Sequence, residues 1–144
     1  VARDDISCVA AILQHPELRQ QVQQQLDGMP LPATPLADTL RYVCLGENRL
    51  TDEDTQALGD GFGTEQAEAL YAAASNMDVI EPERAAELVT MRIRALRIEA
   101  LSEELRGQRE ALRSAERQHD SAAISHLMAR CIHLKREIEK LGAA

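Results

Sequence analysis

Apolar and polar positions along the chain follow a helical period almost throughout. Ile6 to Leu13 forms a short apolar helix that stops at Gln14-His15-Pro16. Proline cannot continue that helix but suits the first turn of another, so a second helix is expected from about Pro16 to Leu26. Asp27-Gly28-Met29-Pro30-Leu31-Pro32 is a break. Thr34 then reads as an N-cap with Pro35 at the first helical position, and the third helix buries Leu36, Leu40, Val43 and Cys44 until Gly46 ends it. Thr51-Asp52-Glu53-Asp54 starts a fourth in the manner of a capping box. Gly59, Gly61 and Gly63 break it, and Thr64 opens a fifth with Ala67, Leu70 and Tyr71.

From Pro82 the pattern changes. Helical spacing persists to about Ala115, on the order of 50 Å of helix. Its first half carries two apolar stripes: Leu88, Met91, Ala95 and Ile98 on one, and Val89, Ile93 and Leu96 on the other. Beyond Ile98 a single seam continues through Leu101, Leu105 and Leu112. A broad apolar surface calls for a bundle around it, whereas a narrow seam needs one partner helix. The polar segment Ser114 to Asp120 reads as a turn, with Asp120 or Ser121 as the next N-cap. The last helix is a regular heptad, with Ile124, Cys131 and Ile138 at one seam position and Leu127, Leu134 and Leu141 at the other. It is expected to fold back as an antiparallel hairpin. The fold class is therefore all-α: a helical bundle over residues 1–100 that continues through a long helix into a C-terminal antiparallel hairpin over 101–144.

Composition sharpens this picture. Of 144 residues 44% are apolar, yet only Tyr42, Phe62 and Tyr71 are aromatic, so the core must be built from aliphatic and small side chains that suit close helix packing. The start at Val1 reads as a fragment of a longer protein. With 16 basic and 24 acidic residues the net charge is −8, which repels phosphates at long range and argues against direct nucleic-acid binding. No apolar run approaches the ~18 residues of a membrane span, and there is no signal peptide. Cys8, Cys44 and Cys131 lie in apolar surroundings and read as small hydrophobes in a reducing cytoplasm.

Candidate chemistry is sparse. Asp52-Glu53-Asp54 has an acidic spacing used to hold divalent metals, but such sites draw on further carboxylates at strand ends, and helix-start acidity is the ordinary reading. Glu116 and His119 match half of a di-iron bundle signature, which needs a second pair and two more glutamates. His119, His126 and His133 recur every seven residues, ~10.5 Å apart along a helix and too far for shared coordination. No phosphate loop, zinc knuckle or nucleophile elbow exists, so neither a catalytic residue nor a cofactor or metal ligand is assigned. One feature is left over. Met128 and Ile132 are apolar but adjacent to the seam rather than on it. Two readings stand: a wide hairpin seam, or a second apolar strip for a partner protein, flanked by Lys135, Arg136 and Lys140 and reaching Leu141 at the chain end.

Ala11-Ile12-Leu13-Gln14-His15-Pro16-Glu17-Leu18 resembles the opening of the C-terminal domain of bacterial DnaG-type primases, and the order of the remaining segments over nearly the whole chain is similar to that family's. The resemblance implies an interaction domain without a catalytic centre. Its bundle and hairpin would dock a DNA-directed RNA polymerase on the N-terminal collar of the hexameric DnaB-type helicase, coupling primer synthesis to fork unwinding in the bacterial cytoplasm. The hairpin would supply most of the affinity, and the polymerising and zinc-binding domains would lie upstream. Some members also receive the acidic tail of single-stranded-DNA-binding protein on basic residues near the first helix; here Arg3 is offset by Asp4 and Asp5, and that role is not carried over. The rival readings are the N-terminal domain of the helicase itself, against which Gly142-Ala143-Ala144 reads as a natural chain end, a di-metal bundle enzyme, and an unrelated coiled-coil adaptor.

Overall fold

In the computed structural model the described residues are 2–26, 34–45 and 65–143. They form six helices and, among the described residues, no strand: α1 (Arg3–Gln14), α2 (Leu18–Leu26), α3 (Pro35–Leu45), α4 (Glu65–Ser75), α5 (Pro82–Arg117) and α6 (Ser121–Ala143). The protein is all-α. It divides into two compact units, Val1–Ile93 and Arg94–Ala144, with the boundary inside α5. The expected fourth helix at Thr51, its capping box, the Asp52-Glu53-Asp54 cluster, Phe62 and the helix-breaking glycines before Thr64 lie outside the described residues.

The first unit is organised around α1. Cys8, Val9, Ala10, Ala11 and Ile12 are consecutive and all fully buried, so this helix is covered on every side over its second half. It packs on α4 and α3; α3 also packs on α4 and on α2. Small residues at these crossings (Ala10, Ala11, Ala67 and Ala74) let backbones approach, which is how a core nearly free of aromatics reaches close packing. Thr34 caps α3 as the sequence implies, its Oγ1 accepting the Ala37 N–H at 3.2 Å. Thr39 is fully buried, and its hydroxyl donates to the Pro35 carbonyl at 2.7 Å, so burial leaves it satisfied. Asp5 on α1 accepts from Arg92 Nε on α5 at 2.6 Å, an ion pair whose side chains are both about four-fifths removed from solvent.

Two details of this unit depart from the expectations. The second helix begins at Leu18 rather than Pro16. His15 to Arg19 is a tight turn in which Leu18 N–H bonds the His15 carbonyl and Arg19 N–H the Pro16 carbonyl. Of the two stripes on the first half of α5, Val89, Ile93 and Leu96 are buried, whereas Leu88 is half-buried and Met91 is 61% exposed. Both stripes fit the helical period, but the bundle covers one face of this helix.

In the second unit α5 runs on through Arg117 instead of turning at Ser114, because Glu116 and Arg117 sit on an exposed face while Leu112 and Ala115 keep to the seam. The turn is Gln118 to Asp120. Asp120 N–H bonds the Ala115 carbonyl and His119 N–H the Glu116 carbonyl, with His119 in the left-handed region at φ 56°. That is the Schellman way of closing a helix, with histidine where glycine is usual. Asp120 also caps α6, its carboxylate accepting the Ala123 N–H at 3.2 Å. Along the hairpin Leu105, Ala115 and Leu134 are buried, and Arg130 reaches from α6 to Glu104 on α5 at 2.5 Å. Ile124, Leu127, Cys131, Ile138 and Leu141 are half-buried, as expected of a seam covered by a single helix. No helix among the described residues is long and apolar enough to cross a membrane.

Candidate partner-docking surface

The hairpin seam sets the frame for the residues singled out from the sequence. Leu134, on the seam, is 1% exposed, while Met128 and Ile132 are each 50% exposed. At 3.6 residues per turn, Met128 stands about 90° and Ile132 about 130° around α6 from the middle of the seam, and they are one turn apart along it. Half of each side chain therefore meets water although a leucine only two positions from Ile132 is enclosed. Burying the exposed parts of two such side chains is worth roughly 1–2 kcal/mol by apolar area alone.

Around this pair, Lys135 lies on the same side as Met128, and Arg136 is exposed just beyond Ile132 on the outer face. Lys140 is turned to the far side of the helix, beside Glu137 at 3.9 Å. Leu141 is half-buried and belongs to the seam. Met128, Ile132, Lys135 and Arg136 are thus brought together on one surface, whereas Lys140 and Leu141 are not part of it. His119, His126 and His133 are all exposed, and among the described residues no three His, Cys, Asp or Glu side chains gather closely enough to hold a metal ion. The three cysteines are free thiols. Burial pushes the Cys8 thiol up to about 12 and the Cys44 thiol up to about 11, so both stay protonated at neutral pH and are poor nucleophiles.

The Gln14-His15-Pro16 motif has a structural task that its local pattern does not disclose. Gln14 Nε2 donates to the Asp78 carbonyl at 2.9 Å, Gln14 Oε1 accepts the Ile80 N–H at 2.7 Å, and His15 Nε2 donates to the Ile80 carbonyl at 2.8 Å. Two adjacent side chains at the end of α1 thereby hold the extended segment that leads into α5. Segment 77–80 has no helical or sheet ladder of its own, so these bonds satisfy backbone groups that otherwise depend on water. Locally the motif is a helix stop; nothing near it in sequence points to a partner more than sixty residues away. Nor does the heptad pattern disclose the cross-hairpin pair Arg130–Glu104. The two residues lie at unequal distances from the turn, so pairing positions symmetrically about it does not suggest the contact.

Comparison with protein-family models, with curated proteins and with solved structures finds no match.

Proposed function

We propose that this chain is the helicase-binding domain of a bacterial DnaG-type primase. Its C-terminal hairpin docks the parent polymerase on the N-terminal domain of the hexameric DnaB-type helicase, and the chain has no catalytic centre of its own. The observation that carries this reading is the half-exposed pair Met128 and Ile132. An isolated hairpin has little core, and two apolar residues held off its only seam serve folding poorly but serve a partner well. The order of segments and the Gln14 to Leu18 motif support the assignment to this family.

The test is a binding titration against the cognate helicase N-terminal domain, run beside a thermal melt. Replacing Met128 and Ile132 together by alanine is expected to weaken binding by ~2 kcal/mol or more, about 30-fold in Kd, with little change in helicity. Leu134→Ala removes a fully enclosed seam residue and is expected to melt the hairpin by ~2–5 kcal/mol instead. Parent-like binding by the double variant sinks the proposal.

A further inference from the structure

Arg130 on α6 and Glu104 on α5 bond across one flank of the hairpin. In an antiparallel helix pair, positions displaced to the same rotational side of each seam share a flank, so this pair fixes which side is which. Met128, Ile132 and Lys135 are displaced the other way on α6. On α5 the residues displaced that same way from the Leu105–Leu112 seam are Arg109 and Arg113. Arg109 lies ~10 residues before the turn and Met128 ~9 after it, which puts them at similar height on the hairpin.

Both arginines are exposed and, among the described residues, neither makes an ion pair. Their neighbour Arg106 contrasts with them: it is held by Glu103 and by Glu110, and Glu103 is correspondingly lowered below the ordinary glutamate range. Charge is also divided between the two units. Residues 94–144 contain ten basic and eight acidic side chains, residues 1–93 six basic and sixteen acidic. The hairpin is thus the cationic part of an acidic chain, and Glu116 and Glu139, the acids on the same flank, fall towards its two ends.

Resting on the proposed docking role, we infer that the docking surface spans both helices, with Arg109 and Arg113 of α5 facing a partner beside Met128 and Ile132 of α6, and that it takes an acidic helical surface whose carboxylates surround an apolar patch. Unpaired guanidinium groups bordering half-exposed apolar side chains are suited to carboxylates brought in by another protein, where fork-like bonds form as the apolar centre closes. A phosphate backbone fits less well, because the centre of the surface is aliphatic and no aromatic side chain is there to stack a base.

The experiment uses the whole chain, its Arg109→Glu/Arg113→Glu variant, and Arg3→Glu as a control that shifts net charge in the same direction within the first unit. Each is titrated at several salt concentrations against four probes. These are the cognate helicase N-terminal domain, a synthetic amphipathic helix with leucines at i and i+4 flanked by glutamates, its lysine-for-glutamate counterpart, and a single-stranded oligonucleotide. The parent and the control are expected to favour the glutamate peptide over the lysine peptide. The double variant is expected to lose at least ~10-fold in affinity for the helicase domain and for the glutamate peptide, to show a flatter salt dependence, and to melt like the parent. Parent-like binding of either acidic probe by the double variant overturns the inference, and so does a parent that does not distinguish the peptides or that prefers the oligonucleotide. If the helicase domain fails to bind the parent while the peptide results hold, the helicase assignment falls and the acidic-partner surface stands.

Discussion

Gln14→Ala tests whether the turn motif matters through its reach to segment 77–80. The substitution removes two hydrogen bonds at once, the 2.7 Å bond from the Ile80 N–H and the 2.9 Å bond to the Asp78 carbonyl. Asp78 is exposed, so water replaces Gln14 there and the loss is about 0.5 kcal/mol. Ile80 is half-buried, and its N–H then lacks a partner on a side that water reaches poorly, which costs about 1.5 kcal/mol. The total of about 2 kcal/mol corresponds to a drop of about 1 M in the urea midpoint for a domain of this size. Gln14→Glu keeps the acceptor for Ile80 but sets a carboxylate against the Asp78 carbonyl, so it should fall between parent and alanine variant. Urea unfolding followed by circular dichroism measures the midpoint, and amide hydrogen exchange at Ile80 reports the local bond. An unchanged midpoint together with unchanged protection of the Ile80 amide would refute the reasoning, because it would mean that α5 is positioned without this clamp. A lowered midpoint with unchanged exchange would place the loss within α1 rather than at the contact.

Three further substitutions have outcomes set by particular residues. Cys8 has an ordinary thiol pKa of 9.0 and is raised to about 12 by burial, so above about pH 9 the unfolded chain loses this proton while the native chain keeps it. That part of the stability is whole below pH 9 and is lost as pH rises towards 12; Cys8→Ala is expected to flatten melting temperature against pH in that window. His119 holds φ 56° in the turn between α5 and α6, and His119→Gly is expected to raise hairpin stability by about 1 kcal/mol, whereas Asp120→Ala lowers it by a similar amount through loss of the Ala123 cap, both read from thermal melts.

Much of the fold was legible because helices advertise themselves through spacing, and this chain offers little else. Pro35 behind Thr34, Pro82 after the extended segment and Asp120 before the last heptad run mark helix starts through local chemistry, and each is found where that chemistry puts it. The off-seam position of Met128 and Ile132 was legible for the same reason: 3.6 residues per turn places them outside a line drawn through Ile124, Leu127, Cys131 and Leu134. Misplacements arose where one local pattern serves two structures. Ser114 to Arg117 is polar in the way of a turn and equally in the way of an exposed helix face; Ala115, buried on the seam, separates the two only once α6 lies against it.

Local residue chemistry was enough to make this an all-α chain, to phase its helices and to set a single seam along its hairpin, because backbone capping and periodic burial act over a few neighbours. Which stripe of α5 is covered, that Gln14 and His15 bond a segment far along the chain, that Asp5 meets Arg92, and which flank of the hairpin Arg130 and Glu104 bridge are results of how the helices come together. Those contacts join positions remote in sequence, and two faces that satisfy the same period are equivalent until another helix covers one of them.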